Sequence, residues 1–373
     1  MTTCITVNAR FLTQITTGVQ RYAVGVVKTL DGLLHREVVE PQQYSLVLLA
    51  PKSPILHTLD LKCIEVRQVG HANGNLWGQL ELPSYVRENV LWSPTNIGPV
   101  FHRRHIVTIH DTAVLDHPEW FSPKFALWYR VLLPMLAQRA MRILTVSQFS
   151  RNRLIDALDV DPRRIFVVPN GVDATFRPIE HEGIEPVLTR LDLPSDYVLT
   201  LGSLEPRKNL ARLLRAWQLL LSRRAIDKDL FLVVAGGKHS SFRKTDYLPL
   251  PEHVVFTGYI SDEDLPALYS GARAFVYPSL YEGFGLPPLE AMACGAPVIT
   301  SASTSIPEVA GDAALLIDPA DVESIADGIQ SVLNDVALRN AMSTASRKRA
   351  RLFTWDRSAR LIWTHLTEVA AMA

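Results

Sequence analysis

Short runs of β-branched and apolar residues, each closed by a turn residue, alternate along the chain with longer stretches in which apolar side chains recur every three or four positions. The first pattern predicts strands and the second helices, and their alternation predicts parallel strands joined by crossover helices. In the first half the predicted strands are Cys4–Asn8, Tyr44–Leu49, Cys63–Val69, Val90–Ser93, Ile106–His110, Ile143–Val146 and Ile165–Val168, with helices such as Gly18–Leu34, Phe125–Ala140 and Ser147–Leu158 between them. From Ala174 to Pro194 three prolines and scattered acids loosen the pattern, which predicts a connection between domains. A second series follows: Tyr197–Gly202, Leu230–Ala235, Val254–Thr257, Ala274–Tyr277, Val298–Thr300 and Leu315–Ile317. The expected fold class is α/β, with domains at 1–173 and 195–354 joined by 174–194. Ligands of open parallel sheets sit at the carboxyl ends of strands, so the site is expected in a cleft between the halves.

A length of 373 residues suits two domains, and 47% apolar against 20% charged residues excludes a disordered chain. Lys+Arg and Asp+Glu both total 38, without the cationic excess of a nucleic-acid binder. Divided at Asp173, the first part is +4 and the second −4, which mildly favours an anionic partner on the first. The three cysteines, Cys4, Cys63 and Cys294, have no CxxC spacing, so neither a disulfide framework nor a zinc ribbon is expected and a reducing cytoplasm fits. No leader-like N-terminus and no run of ~18 apolar residues occurs, so neither export nor membrane spanning is expected.

The chemistry concentrates in Phe275-Val-Tyr-Pro-Ser-Leu-Tyr-Glu-Gly-Phe-Gly-Leu-Pro-Pro-Leu-Glu-Ala-Met-Ala-Cys-Gly295. An apolar strand ends near Pro278, a loop carries Gly283 and Gly285, and Pro287 opens a helix that stops at Gly295. Amide N–H groups at such a helix start, unobstructed by side chains on the glycines, suit hydroxyls or phosphate oxygens. Glu282 and Glu290 add two acidic acceptors, which suits a ligand with several hydroxyls, such as a sugar and a ribose. Alternatively, they only complement the helix dipole, for about 0.3–1 kcal/mol each.

The string EGFGLPPLEAMACGAPVI resembles the C-terminal signature of glycosyltransferase family 4, retaining enzymes of the two-domain GT-B fold, in which two Rossmann-like domains face each other across a cleft. The resemblance extends through most of the chain. It implies that 195–354 binds a nucleotide sugar, that 1–173 takes the acceptor, and that a closing helix over 355–373 returns toward the first domain. The family places a Lys, usually with an Arg, shortly after the first strand of the second domain, matched here by Leu201-Gly-Ser-Leu-Glu-Pro-Arg-Lys-Asn209. Fixed cations there stabilise the charge that develops on the departing diphosphate. Many members have Gly-Arg where this chain has Gly202-Ser203, so Arg207 stands in for the missing guanidinium; either Arg207 or Lys208 contacts phosphate directly.

The same resemblance implies a donor site of Gly18, Gly202, Ser203, Tyr259, Gly283, Phe284, Gly285, Leu286 and Glu290, with Arg207, Lys208, Glu282 and His110 acting on the reaction. Gly18 lies in Thr17-Gly-Val-Gln-Arg-Tyr22, a turn that lacks the nicotinamide-type GxGxxG. Tyr259 belongs to Phe256-Thr-Gly-Tyr-Ile260, whose backbone is expected to read the base. His110 ends an apolar strand beside the donor sugar's reacting face, while Asn96 and Asp111 are expected toward the acceptor. Pro169-Asn-Gly-Val-Asp173 looks like the family's junction, its Asn-Gly a structural turn.

Asp159-Val-Asp161 and Asp262-Glu-Asp264 have the DxD form of metal-dependent transferases, but neither follows a strand where a metal site requires it. No essential metal or cofactor is expected, and the nucleotide sugar is a substrate. Phe101-His-Arg-Arg-His105 and the aromatic, basic helix Lys124–Arg142 suggest contact with anionic lipid or a lipid diphosphate, against the more ordinary reading of core packing for that helix. Arg347-Lys-Arg-Ala-Arg351 reads as a solvated helix face.

TGVQRY, IHDTAVLDHPEWFS and GSLEPRKNL are similar to bacterial mannosyl- or rhamnosyltransferases of surface polysaccharide. This implies a mannose or deoxyhexose donor linked to GDP, a lipid-carrier-linked glycan acceptor and a cytoplasmic enzyme peripheral to the inner membrane face. The rival expectations are a nucleotide-sugar epimerase on a similar scaffold and a non-catalytic nucleotide-sugar-binding module.

Overall fold

The computed structural model describes residues 3–39, 43–202, 205–237 and 250–372. Two compact units divide the chain: Met1–Asp116 with Ala126–Gly171 and Thr354–Ala373, and His117–Phe125 with Val172–Phe353.

In the first unit, β1 (Thr3–Asn8), β2 (Tyr44–Pro51), β3 (Glu65–Val69), β4 (Val90–Ser93), β5 (His105–Thr108), β6 (Arg142–Thr145) and β7 (Ile165–Val167) form one sheet in the order β3-β2-β1-β4-β5-β6-β7. Every neighbouring pair is parallel. The central β4 is buried along its whole length, as strands covered on both faces must be. In the second unit, β8 (Tyr197–Leu201), β9 (Phe231–Ala235), β10 (Val254–Gly258), β11 (Ala274–Tyr277), β12 (Val298–Ser301) and β13 (Leu315–Ile317) are also parallel, in the order β10-β9-β8-β11-β12-β13. One face of this sheet packs Val198, Val276 and Ile299 against Leu213, Trp217 and Leu220 of the helix Leu210–Ser222 and Ile325, Ile329 and Val332 of the helix Val322–Asn334. Each strand overlaps a run predicted from the sequence.

Both sheets reverse their direction of growth once, between β1 and β4 in the first and between β8 and β11 in the second. Crossovers leave such a point toward opposite faces, which opens a crevice at the carboxyl ends of the two strands. The segments after β8 and β11 carry Arg207, Lys208 and Glu282; those after β4 and β5 carry Asn96 and His110.

Two boundaries differ from expectation. Residues 174–194 are not a loose connection: they contain the helix His181–Arg190, which belongs to the second unit and buries Ile184 and Leu188. The prolines misled because Pro186 is accommodated inside that helix, where Ile184 and Leu188 share one face and bury apolar area that offsets its cost. His117–Phe125, interrupting the first half in sequence, belongs to the second unit.

The last helix, Trp355–Ala371, lies in the first unit. Its first turn crosses so close to the Pro169–Gly171 turn that the Ser358 hydroxyl donates to the Pro169 carbonyl, and a Cβ on Gly171 would lie 2.2 Å from the Trp355 nitrogen. Backbone cannot move aside as a side-chain tip can. Gly171→Ala is therefore expected to lower the unfolding free energy by about 1–3 kcal/mol, the usual range for overpacking. An unchanged denaturant midpoint would remove this steric role from Gly171. The basic run 347–351 is more than a solvated face: Arg349 donates to the Glu308 and Val309 carbonyls and lies 5.3 Å from the Phe353 ring centroid.

Candidate functional site

Because β8 and β11 are neighbours, the segments that follow them meet. The turn Pro206–Lys208 is pinned to the loop after β11 by the Leu280 N–H and the Ser279 hydroxyl, both donating to the Arg207 carbonyl at 2.8 and 3.0 Å. The two predicted cations and the predicted carboxylate thereby converge. Lys208 Nζ donates to Glu282 Oε1 at 2.7 Å and to the Tyr277 hydroxyl, and lies 5.0 Å from the Tyr277 ring centroid. Arg207 Nη1 donates to Glu282 Oε2 at 3.2 Å, while its Nε donates to Glu205 at 2.7 Å.

Glu282 is buried and also accepts from the Tyr277 and Ser279 hydroxyls, at 2.8 and 2.7 Å. Burial pushes its carboxyl upward, but the charges of Lys208 and Arg207, with these hydrogen bonds, outweigh burial and hold it at about 2. The side chain is an anion throughout the physiological range. Burial beside that anion pushes the Tyr277 phenol well above its ordinary range, so it stays a donor. The loop's main chain is held as well: the Glu282 N–H donates to the Thr304 hydroxyl, and the Ser305 hydroxyl to the Glu282 carbonyl.

Gly285 is the residue before the helix Leu286–Ala293, with φ +104, a conformation that favours glycine. The side chains of Phe284 and Leu286 are buried, Phe284 edge-on to Phe353 at 5.8 Å between centroids, so only their main-chain amides are available to a ligand. Glu290 is buried in the same helix and accepts from the Tyr269 hydroxyl at 3.2 Å.

At the ends of β8, β9 and β10 the backbones approach each other directly. The Gly202 N–H donates to Ala235 and the Gly236 N–H to Gly258, and a Cβ on Gly236 would lie 2.0 Å from the Gly202 oxygen. Gly202 thus borders a side-chain-free floor next to Lys208, whose Cγ lies 3.2 Å from where a Gly202 Cβ would be. Tyr259, just beyond, is exposed. Ser203 lies outside the described residues.

In the first unit His110 is buried, its ring edge-on to Tyr22 at 4.7 Å between centroids. Its Nε2 donates to the Pro94 carbonyl at 2.9 Å. Burial pulls the imidazole down to about 4, so the ring is neutral at pH 7, with a lone pair on Nδ1. Asn96 and Asp111, expected toward an acceptor, each accept a local backbone N–H. Asn96, at φ +60, accepts the His110 N–H at 2.7 Å, and Asp111 accepts the Ala113 N–H at 3.0 Å. Gly18 starts the helix Gly18–His35, where Gln20 turns back to accept the Thr17 N–H at 3.1 Å.

Both DxD segments have structural partners. Asp159 closes a helix in the left-handed conformation, Asp161 accepts from Arg163, and Asp264 pairs with Arg190. Among the described residues, no group of three or more His, Cys, Asp or Glu gathers as a metal site would require.

Sequence reasoning missed Glu205, Tyr277 and Ser279, which complete the cluster, and the packing of His117 and Trp120 on Tyr281. The His117 and Trp120 rings stack at 4.0 Å, and both meet Tyr281 edge-on, at 5.7 and 6.5 Å. Glu205, two residues before Arg207, was the one legible signal: an acid beside a cation pair.

A family model described as Glycosyl transferases group 1 matches residues 189–349, and one described as Glycosyltransferase Family 4 matches residues 91–176. The chain is 34% identical to the O-antigen chain mannosyltransferase B of Escherichia coli, over 79% of this chain and 77% of that protein. It is 32% identical to the serotype-specific mannosyltransferase WbdA of Escherichia coli over 69% of its length, but spans only 32% of that protein. Among solved structures, sucrose-phosphate synthase from Thermosynechococcus elongatus superposes with a TM-score of 0.75 at 19% identity, covering 100% of both chains. That likeness concerns the fold.

Proposed function

The chain belongs to glycosyltransferase family 4 and is a hexosyltransferase of polysaccharide synthesis, and from that premise we propose that it moves mannose or a deoxyhexose, with retention, from a GDP-linked donor to a lipid-carrier-linked glycan. The observation that carries the site assignment is the cluster of Lys208, Arg207 and Glu282 at the carboxyl ends of β8 and β11. Mannose as the donor sugar follows from the likeness to two mannosyltransferases; the guanine nucleotide and the lipid carrier go a step beyond that likeness.

The chemistry follows from charge. Breaking the bond between sugar and diphosphate leaves negative charge on the phosphates, which fixed cations stabilise more than the ground state. An ammonium has three N–H donors; Lys208 directs two at Tyr277 and Glu282 and has a third for a phosphate oxygen. Arg207 and Lys208 are balanced by Glu205 and Glu282. A sugar hydroxyl donating to Glu282 takes over part of that anion's hydrogen bonding and releases the cations toward the phosphates. The amides of 283–285 hold the sugar and Glu290 the ribose. Leaving-group oxygen assists deprotonation of the acceptor, giving attack on the face the phosphate leaves. Side chains carry the charge in this scheme, so transfer continues in the presence of a chelator.

The test is a thermal-shift screen against GDP-, UDP-, ADP- and dTDP-linked sugars, followed by transfer assays with the best binder. A ligand at 100 times its Kd adds about 2.7 kcal/mol, or roughly 5–10 °C for units of this size. GDP-mannose or a GDP-deoxyhexose is expected to give the largest shift, and product to form only with acceptor present. An epimer formed from donor alone, or binding without turnover on any glycan acceptor, overturns the assignment of transfer.

A further inference from the structure

The helix Pro123–Arg139 has two apolar faces. One is the expected core packing: Tyr129, Leu132, Leu133, Leu136 and Ala137 are buried. The other is made of Leu127, Trp128, Val131 and Met135, which are 66%, 37%, 54% and 37% exposed. At about 100° per residue these four share one side of the helix. Phe101, 72% exposed, extends the strip at the helix's far end, where the Arg139 guanidinium lies 4.6 Å from its ring centroid. Five large apolar side chains in one exposed strip exceed the scattered singles of an ordinary surface.

The charges that the two segments carrying the strip contribute all have one sign. Lys124 falls on the same side of the helix, and Arg130 and Arg139 border it. No Asp or Glu occurs between Phe121 and Arg142, nor between Asn89 and His110. No helix among the described residues is long and apolar enough to cross a membrane. An amphipathic surface with apolar residues at its centre and the cations of its own segments at its margin matches the interface of an anionic bilayer, where acyl chains receive the strip and headgroups the cations. A second copy of the same face would set cations against cations.

We propose that the face formed by Leu127, Trp128, Val131, Met135 and Phe101 lies on an anionic phospholipid surface. This deepens the reading of a lipid-linked acceptor by placing the first unit on the bilayer that holds it, and its chemistry is separate from donor binding. The experiment is co-sedimentation of the full chain with vesicles of phosphatidylglycerol mixed into phosphatidylcholine, or of phosphatidylcholine alone. The wild type is compared with a Leu127→Glu, Val131→Glu double variant, whose changes lie at exposed positions. Expected are binding to the anionic vesicles that weakens steeply with salt, little binding to the zwitterionic ones, and a loss of about tenfold or more in the variant. The donor-induced thermal shift is measured on both proteins and is expected to be equal, so a failed donor assignment shows there alone. Equal binding of wild type and variant, no binding by the wild type, or a wild-type dimer that the variant dissolves would each overturn the proposal.

Discussion

Replacing Lys208 by Ala is expected to lower the transfer rate by about 10²–10³-fold, the loss usual when one preorganised charge-stabilising donor is removed. The ammonium follows the carboxyl end of β8 and is held in place by Glu282 and Tyr277. Its stabilisation grows as the sugar–phosphate bond breaks, so the loss should fall on kcat more than on the donor KM. Lys208→Arg separates charge from geometry: a partial rescue is expected, because a guanidinium keeps the charge but does not fit the contact between Tyr277 and Glu282. A kcat within threefold of wild type in the Ala variant would take Lys208 out of the reaction.

Glu282→Gln is the second large effect, and it reads on stability as well as on rate. The substitution keeps the shape but leaves Lys208 and Arg207 facing an amide, which breaks a buried ion pair at a cost of about 3–5 kcal/mol. Its acid dependence has a definite sign. The folded carboxyl sits at about 2, below the ordinary value of 4.5, so the folded state holds the proton less tightly than the unfolded chain. The stabilisation is fully present above about 4.5 and is lost as the pH falls through about 2, amounting to about 3 kcal/mol at neutral pH. In the Gln variant that part of the acid sensitivity should vanish: a plot of unfolding free energy against pH flattens between 4.5 and 2 relative to wild type. Parallel curves would show that Glu282 is not held as an anion by its two cations. Transfer should fall at least tenfold as well, because an amide accepts a sugar hydroxyl without charge assistance.

The two cations and Glu282 were legible because their chemistry is local. A Lys following an Arg after a strand, and a Glu before two glycines at a helix start, are visible in one line of sequence. Their convergence follows from strand order, as β8 and β11 are adjacent although some seventy residues separate them. Tyr277 and Ser279 escaped notice because a strand-end tyrosine and a loop serine are common, and only their hydrogen bonds to Glu282 mark them. Asn96 and Asp111, polar residues at strand ends that look ligand-directed, each also accept a nearby backbone N–H, a contact the sequence did not show. Backbone donors at loop bends must be paired, and a short polar side chain close in sequence is the nearest partner.

By itself the sequence determined the thirteen strands, the helices between them and the positions of the cations and of Glu282, because hydrophobic periodicity and turn chemistry act over a few residues at a time. Tertiary structure alone decided that residues 181–190 are a packed helix, that 117–125 joins the second unit, and that Glu282 is held as an anion by two cations. It also decided which face of the helix Pro123–Arg139 is covered. Each of these depends on what long-range packing places beside a side chain. Burial and the field of a distant charge are not properties of a residue's own neighbours along the chain.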